Sequence, residues 1–191
     1  LIQFIWLGLG YLFPNYSQVV SGEEAFVAGC LLLPGCILGA CIAPVSGRML
    51  DRFGAKKPVL TGITAIIISL CCFSIFAAGL TTVLFIIFYL IFAFGQGFSS
   101  GNSMTNGLRQ LPAEMNADGN AVFNTLQQLA GAIGTSVITT IIASAQAARP
   151  DDMALATMEG SRNAFYLLAV LAVAALLCSC GLFFAEKNDA R

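Results

Sequence analysis

Gly47-Arg48-Met49-Leu50-Asp51-Arg52-Phe53-Gly54-Ala55-Lys56-Lys57 gathers four basic side chains between two long apolar runs. The pattern is G-x-x-x-D-R-x-G-x-K-K. Gly47 and Gly54 allow a sharp turn or the close approach of a neighbouring helix. Asp51 can accept hydrogen bonds from helix N-terminal amides or pair with a cation. Arg52, Lys56 and Lys57 suit the anionic surface of a cytoplasmic leaflet. Charge alone would describe any positive loop; the ordered D-R-x-G is more specific.

Working outward, six apolar segments flank this stretch: residues 1–20, 25–46, 58–78, 82–104, 121–145 and 164–184. Each is 20–25 residues long and has no Asp, Glu, Lys or Arg. A helix needs about 20 residues to cross the hydrocarbon of a bilayer. Helices are expected because lipid leaves no partner for a free backbone group, and the alternating pattern of barrel strands is absent. Ser21-Gly22-Glu23-Glu24, Gly79-Leu80-Thr81 and Arg149-Pro150-Asp151-Asp152 mark breaks, Pro58 opens the third helix, and Asp118-Gly119-Asn120 offers caps for the fifth. Residues 185–191 form a tail. With the N-terminus inside, the inner side carries Arg48, Arg52, Lys56, Lys57, Arg109, Lys187 and Arg191, against Arg149 and Arg162 outside. The positive-inside bias places both ends in the cytoplasm.

Composition agrees. Of 191 residues, 58% are hydrophobic and 10% charged, and mean hydropathy is +0.84; a soluble domain is about 25% charged. A net charge of −1 gives no footprint for nucleic acid. Histidine, the commonest general base and metal ligand, is missing. The seven cysteines lie inside apolar runs without ligand spacing, and read as small apolar helix residues. No cluster of nucleophiles, acids or ligands supports an enzyme, and no cofactor or metal is expected. Gly95-x-Gly97-x-x-x-Gly101 has the wrong spacing for a dinucleotide loop and no preceding strand.

Polar side chains within the spans are the candidate cavity lining, because polar groups in hydrocarbon face protein or water. Tyr11, Asn15 and Gln18 share a face of the first helix, which Pro14 is expected to kink. Asn15-Tyr16-Ser17 fits a glycosylation pattern but lies within a span. Gln96, Ser99, Ser100 and Ser103 share a face of the fourth helix, and Asn124, Gln128, Gly131 and Thr135 one of the fifth. Interhelical hydrogen bonding is the plainer role for the same residues. Gly35, Gly39, Ala43 and Gly47 recur every fourth residue, as do Gly97, Gly101 and Thr105; such stripes let helices pack, or slide, in close contact.

The G-x-x-x-D-R-x-G-x-K-K stretch resembles the signature loop of the major facilitator superfamily, in its second-half copy. Tyr11-Leu12-Phe13-Pro14-Asn15-Tyr16-Ser17-Gln18, Ala28-Gly29, Leu33-Pro34-Gly35, Leu108-Arg109-Gln110-Leu111-Pro112-Ala113-Glu114, Gly119-Asn120-Ala121-Val122-Phe123-Asn124-Thr125-Leu126-Gln127-Gln128-Leu129 and Gly131-Ala132-Ile133-Gly134-Thr135 extend the likeness to the fourteen-span drug:proton antiporters. Ala55 departs from the pattern, which often has a basic residue there. The resemblance implies an all-α integral membrane fold, the C-terminal six-helix half of a bacterial plasma-membrane exporter. Its partners would be the missing N-terminal half, the bilayer, a small amphipathic organic substrate, and protons carried by the other half. Gly47, Asp51, Arg52, Gly54, Lys56 and Lys57 would form its gating loop. Export of a metabolite or lipid precursor on the same fold, or a stand-alone membrane scaffold, are the alternatives.

Overall fold

The computed structural model describes residues 1–189, with side chains through Ala185. The side chains of Lys187 and Arg191 therefore lie outside the description, and of the expected tail at 185–191 the backbone of 185–189 continues the last helix instead. Seven α-helices account for nearly all of it: α1 (Ile2–Val19), α2 (Ala25–Cys30), α3 (Leu33–Phe53), α4 (Lys56–Phe76), α5 (Thr82–Arg109), α6 (Asn116–Ala148) and α7 (Met153–Asp189). Short 3₁₀ turns occupy Ala77–Gly79 and Ala113–Met115. No strand occurs among the described residues.

The second apolar segment is not one helix: it breaks at Leu31-Leu32, between α2 and α3. Pro34 has no N–H to give the Cys30 carbonyl, so the chain restarts with proline in the first turn of α3, where that loss costs little. The basic stretch is not a loop either. Gly47–Phe53 is the end of α3 and Lys56 opens α4, so Pro58 sits inside the first turn rather than at its start. Only Gly54 and Ala55 lie between the helices, and Gly54 has φ +74°, where a side chain would be strained. Finally, α6 starts at Asn116, so Asp118-Gly119-Asn120 lies in its opening turns and caps nothing. Gly119 is a packing point instead: Leu108 Cδ2 would lie 3.2 Å from a Cβ there.

Other ends follow the sequence signals. Thr81 Oγ1 accepts from the Leu84 N–H at 3.4 Å at the start of α5. Asp152 accepts from the Leu155 N–H at 3.0 Å at the start of α7. Each satisfies a donor that helix geometry leaves free.

Among the described residues, five helical stretches are long and apolar enough to cross a membrane: Ala25–Phe53, Lys56–Gly79, Thr82–Arg109, Ala113–Ala148 and Met153–Ala185. The expected sixth, α1, is 18 residues long and carries Gln3, Tyr11, Asn15, Tyr16 and Gln18, which lower its hydropathy. It is packed against α6 and α7. α4 packs on α5 and α7, α6 on α7, and α3 chiefly on α5. The result is a chain of neighbours, α3–α5–α4–α7–α6–α1, with α3 leaving Ile37, Val45 and Phe53 exposed.

Two clusters hold the helices together. The larger is aromatic: Phe13 meets Phe85 at 4.7 Å edge-on and Phe73 at 4.9 Å, and Phe73 stacks on Phe165 at 5.0 Å. Such pairs add about 0.5–1.5 kcal/mol each beyond area burial. The smaller joins Leu50, Ala55, Val59, Ile63, Ala175 and Phe183 near the ends of α3 and α7 and the start of α4. Buried hydroxyls find backbone partners across the bundle: Tyr16 donates to the Ala77 carbonyl at 2.8 Å and Ser69 to that of Phe88 at 2.7 Å. α3 and α5 are also tied by the Asn102 amide, which donates to Ser46 Oγ at 2.8 Å.

Candidate functional site

The last two turns of α3 present Arg48, Asp51 and Arg52 to solvent, and the first turn of α4 presents Lys56 and Lys57. The Gly54 reversal brings these two charged turns together. Arg52 and Lys57 both lie over the Phe53 ring, at 5.3 and 4.7 Å from its centroid. A ring face is the electron-rich side and attracts both cations. Gly47 has no atom within 4 Å of a notional Cβ, so no close helix approach occurs there among the described residues.

Asp51 already has a cation within this chain. Arg109, at the end of α5, donates to Asp51 Oδ1 at 2.9 Å. Both side chains are more than half exposed, so the pair adds only about 0.2–1 kcal/mol to stability. Its effect is geometric: it links the ends of α3 and α5. Arg109 counts toward the charge bias in the sequence, but its role as partner depends on two helices meeting 58 residues apart.

Among the described residues, two cavities of several hundred Å³ open on the bundle. One, of about 450 Å³, lies between α1, α3 and α5, bordered by Trp6, Tyr89 and Phe92, by small residues of α3 and α5, and by Gln96. The other, of about 350 Å³, lies where α1, α5, α6 and α7 converge, with Gln3, Ser100, Ser103, Gln127 and Ser179 as its polar lining. Of the polar candidates on α5, Gln96, Ser100 and Ser103 border these cavities and Ser99 is buried; none of those on α1 and α6 does.

Those on α1 and α6 are placed as follows. Tyr11 is half-buried against the aromatic cluster. Asn15 is half-buried, and its Oδ1 has no partner among the described residues. Gln18 is exposed and donates to the Pro14 carbonyl one turn back, at 3.2 Å. Asn124 is exposed and donates to the Asn120 carbonyl at 2.9 Å. Gln128 is exposed. The Thr135 hydroxyl lies 3.1 Å from the Gly131 carbonyl and 3.3 Å from that of Leu7.

These α6 positions do share a face, but α1 covers only its second half. Leu7 occupies the space that a Cβ at Gly131 would take, so Gly131 makes room for a neighbouring helix. Asn124 and Gln128 lie beyond that cover. In a complete, cysteine-free protein, cysteines at Asn124 and Gln128 are expected to react with a small hydrophilic thiol reagent about tenfold faster than one at Thr135, since access governs the rate. Equal rates at all three would mean that α1 does not cover Thr135.

Sequence reasoning passed over Gln127, although a signal was present. Gln127, Gly131, Gly134, Ile138 and Ile142 keep one helical stripe, and the last four are buried. Gln127 continues that stripe inward, and its amide reaches Met104 Sδ at 3.6 Å.

Comparison with known proteins bears on this arrangement. The family model described as Major Facilitator Superfamily matches residues 1–135. The chain is 37% identical over 185 residues to the lincomycin resistance protein LmrB of Bacillus subtilis, covering 92% of this chain and 38% of the relative. It is 34% identical over 176 residues to the LmrB of Listeria monocytogenes, covering 88% and 37%. A more distant relative, the riboflavin transporter RibZ of Clostridioides difficile, is 23% identical over 140 residues, covering 73% and 31%. The chain thus spans less than two fifths of the length of these relatives. With the D-R-x-G turn, the long apolar helices and a match over most of its length together, this chain belongs to the major facilitator superfamily, a family of multi-pass membrane transporters rather than enzymes.

Proposed function

We propose that this chain is the C-terminal, six-span half of a drug exporter that works by alternating access. The observation that carries the reading is its likeness, over about nine tenths of its length, to lincomycin resistance proteins. α1 is the sixth span in this reading: its packing against α6 and α7 shelters polar side chains that would be costly in lipid. The spans are about 1–20, 25–46, 58–78, 82–104, 121–145 and 164–184, followed by a cytoplasmic tail at 185–191. The parent is an antiporter of the bacterial cell membrane, most like the fourteen-span drug:proton antiporters, with both ends of this piece in the cytoplasm.

The substrate is a small amphipathic organic molecule, held between this half and the N-terminal one. Proton entry drives its export through the other half. The apolar segments here contain no acid, so no carboxylate within them is available to carry the proton. Gly47, Asp51, Arg52, Gly54, Lys56 and Lys57 form the gate at the cytoplasmic end, with Arg109 as the partner of Asp51.

Cells lacking their main pumps test this. The complete protein is expected to raise tolerance to lincomycin and to extrude an amphipathic dye, both abolished by an uncoupler. Residues 1–191 alone are expected to insert and to extrude nothing. Uncoupler-sensitive extrusion by that segment would overturn the half-transporter reading. In a second reading the exported molecule is a metabolite; the likeness to a riboflavin transporter favours that substrate class and does not bear on direction. Riboflavin efflux without lincomycin tolerance would select it.

A further inference from the structure

Gln96 is the most unusual polar residue in the bundle. It is 8% exposed, and neither its Nε2 nor its Oε1 has a hydrogen-bond partner among the described residues. A buried amide left unpaired is destabilising, and most buried polar groups avoid it. The other buried polar side chains of α5 are satisfied: Ser99 donates to the Gly95 carbonyl at 2.8 Å, and Asn102 to Phe98 at 2.9 Å and to Ser46.

Its position gives the reason. Tyr89, Phe92, Ala93, Gln96, Gly97 and Ser100 form one stripe of α5, and that stripe is a wall of the 450 Å³ cleft. A volume of this size suits a small-molecule site. Opposite, α3 contributes Gly39, where an added Cβ would meet nothing within 4 Å. Among the described residues, no charged one borders the cleft. A charged ligand group would stand there unpaired in an apolar setting, whereas a neutral one meets rings and small side chains.

We propose that the cleft between α1, α3 and α5 holds an uncharged, amide-bearing apolar group, with the Gln96 carboxamide as its hydrogen-bonding partner. A glutamine amide both donates and accepts, so the group that satisfies it fully carries one N–H and one carbonyl. The proposal rests on the transport reading and names the substrate chemistry of its cavity: any cationic part of a substrate is met by the other half, not by this cleft.

Three probes of similar shape test it on the complete purified transporter: N-benzylbenzamide, its ester counterpart benzyl benzoate, and the cationic dibenzylamine. Equilibrium binding is expected to favour the amide over the ester by about tenfold, the effect of one satisfied buried hydrogen bond, and to be weakest for the cation. Gln96→Leu is expected to remove the preference, so that amide and ester bind the variant alike and neither binds better than the ester binds the unaltered protein. Gly39→Leu, which adds bulk to open space, is expected to abolish binding of both without loss of folded protein. Equal binding of amide and ester to the unaltered protein, or an amide preference that survives Gln96→Leu, would overturn the assignment. So would binding that is indifferent to Gly39→Leu, which would mean that another helix fills the cleft. Dye extrusion is measured on the same variants. Extrusion without amide preference leaves the transporter reading standing and removes this site, and amide preference without extrusion does the reverse.

Discussion

Leucine in place of Gly95 prevents α4 from closing on α5. A Cβ at Gly95 would lie 2.5 Å from the Gly62 carbonyl oxygen and 2.9 Å from the Ile66 backbone nitrogen. A Cβ at Gly62 would in turn lie 2.6 Å from the Gly95 carbonyl oxygen. These are backbone atoms, which no side-chain rotamer change can move aside. The helices must separate, and the aromatic contacts made by Phe73 and Phe88 loosen with them. Overpacking of a filled core costs about 1–3 kcal/mol, and a backbone collision belongs at or beyond the upper end. Gly95→Leu is therefore expected to lower the thermal stability of the complete protein in detergent and to leave little folded protein in the membrane. Gly39→Leu is the control, because its notional Cβ has open space. If Gly95→Leu unfolds no earlier than Gly39→Leu, α4 and α5 do not cross at these glycines.

The same comparison bears on what the sequence made legible. Four-residue spacing picks out Gly35, Gly39, Ala43 and Gly47 as a contact stripe, yet of its glycines only Gly35 meets a neighbour, the Tyr89 ring. The tight crossings lie elsewhere: Gly62 with Gly95 between α4 and α5, and Gly131 and Gly134 of α6 against Leu7 and the Phe4 backbone of α1. Two helices crossing at an angle touch closely over about one turn each. One or two glycines per helix are then enough, and no four-residue stripe announces them. The long apolar runs were readable because their length reflects the bilayer. The break before α3 was not marked, although Pro34 was its physical signal. α1 was counted as a span from its apolar residues, while its Gln, Asn and Tyr content keeps it apart from the other five. At the candidate site, Gln96 was visible as a polar residue in an apolar run. Its lack of a partner was not, since that depends on what α1 and α3 place around it.

Charge exchange at Asp51 and Arg109 carries the largest functional effect. Their 2.9 Å contact is exposed, so Asp51→Asn is expected to keep the membrane abundance of the complete transporter within about twofold. The proposed export answers to a different quantity. If the ends of α3 and α5 adopt two arrangements and the pair belongs to one of them, losing about 1 kcal/mol shifts that equilibrium roughly fivefold, and Asp51→Asn weakens resistance by a similar factor. Asp51→Arg does more, since it sets two guanidinium groups at the same contact, and like charges repel where the native pair attracts. Resistance should then be lost, as it should for Arg109→Asp beside the native Asp51. The double exchange, Asp51→Arg with Arg109→Asp, restores an opposite pair and is expected to recover most of the resistance. Drug tolerance and membrane abundance are measured for all four variants. Recovery in the double variant would tie the proposed gate to this contact within one half. Single variants that fail, with a double variant that also fails at normal abundance, would place the working partner of Asp51 in the other half, where the gating motif would then close across the two halves rather than along one.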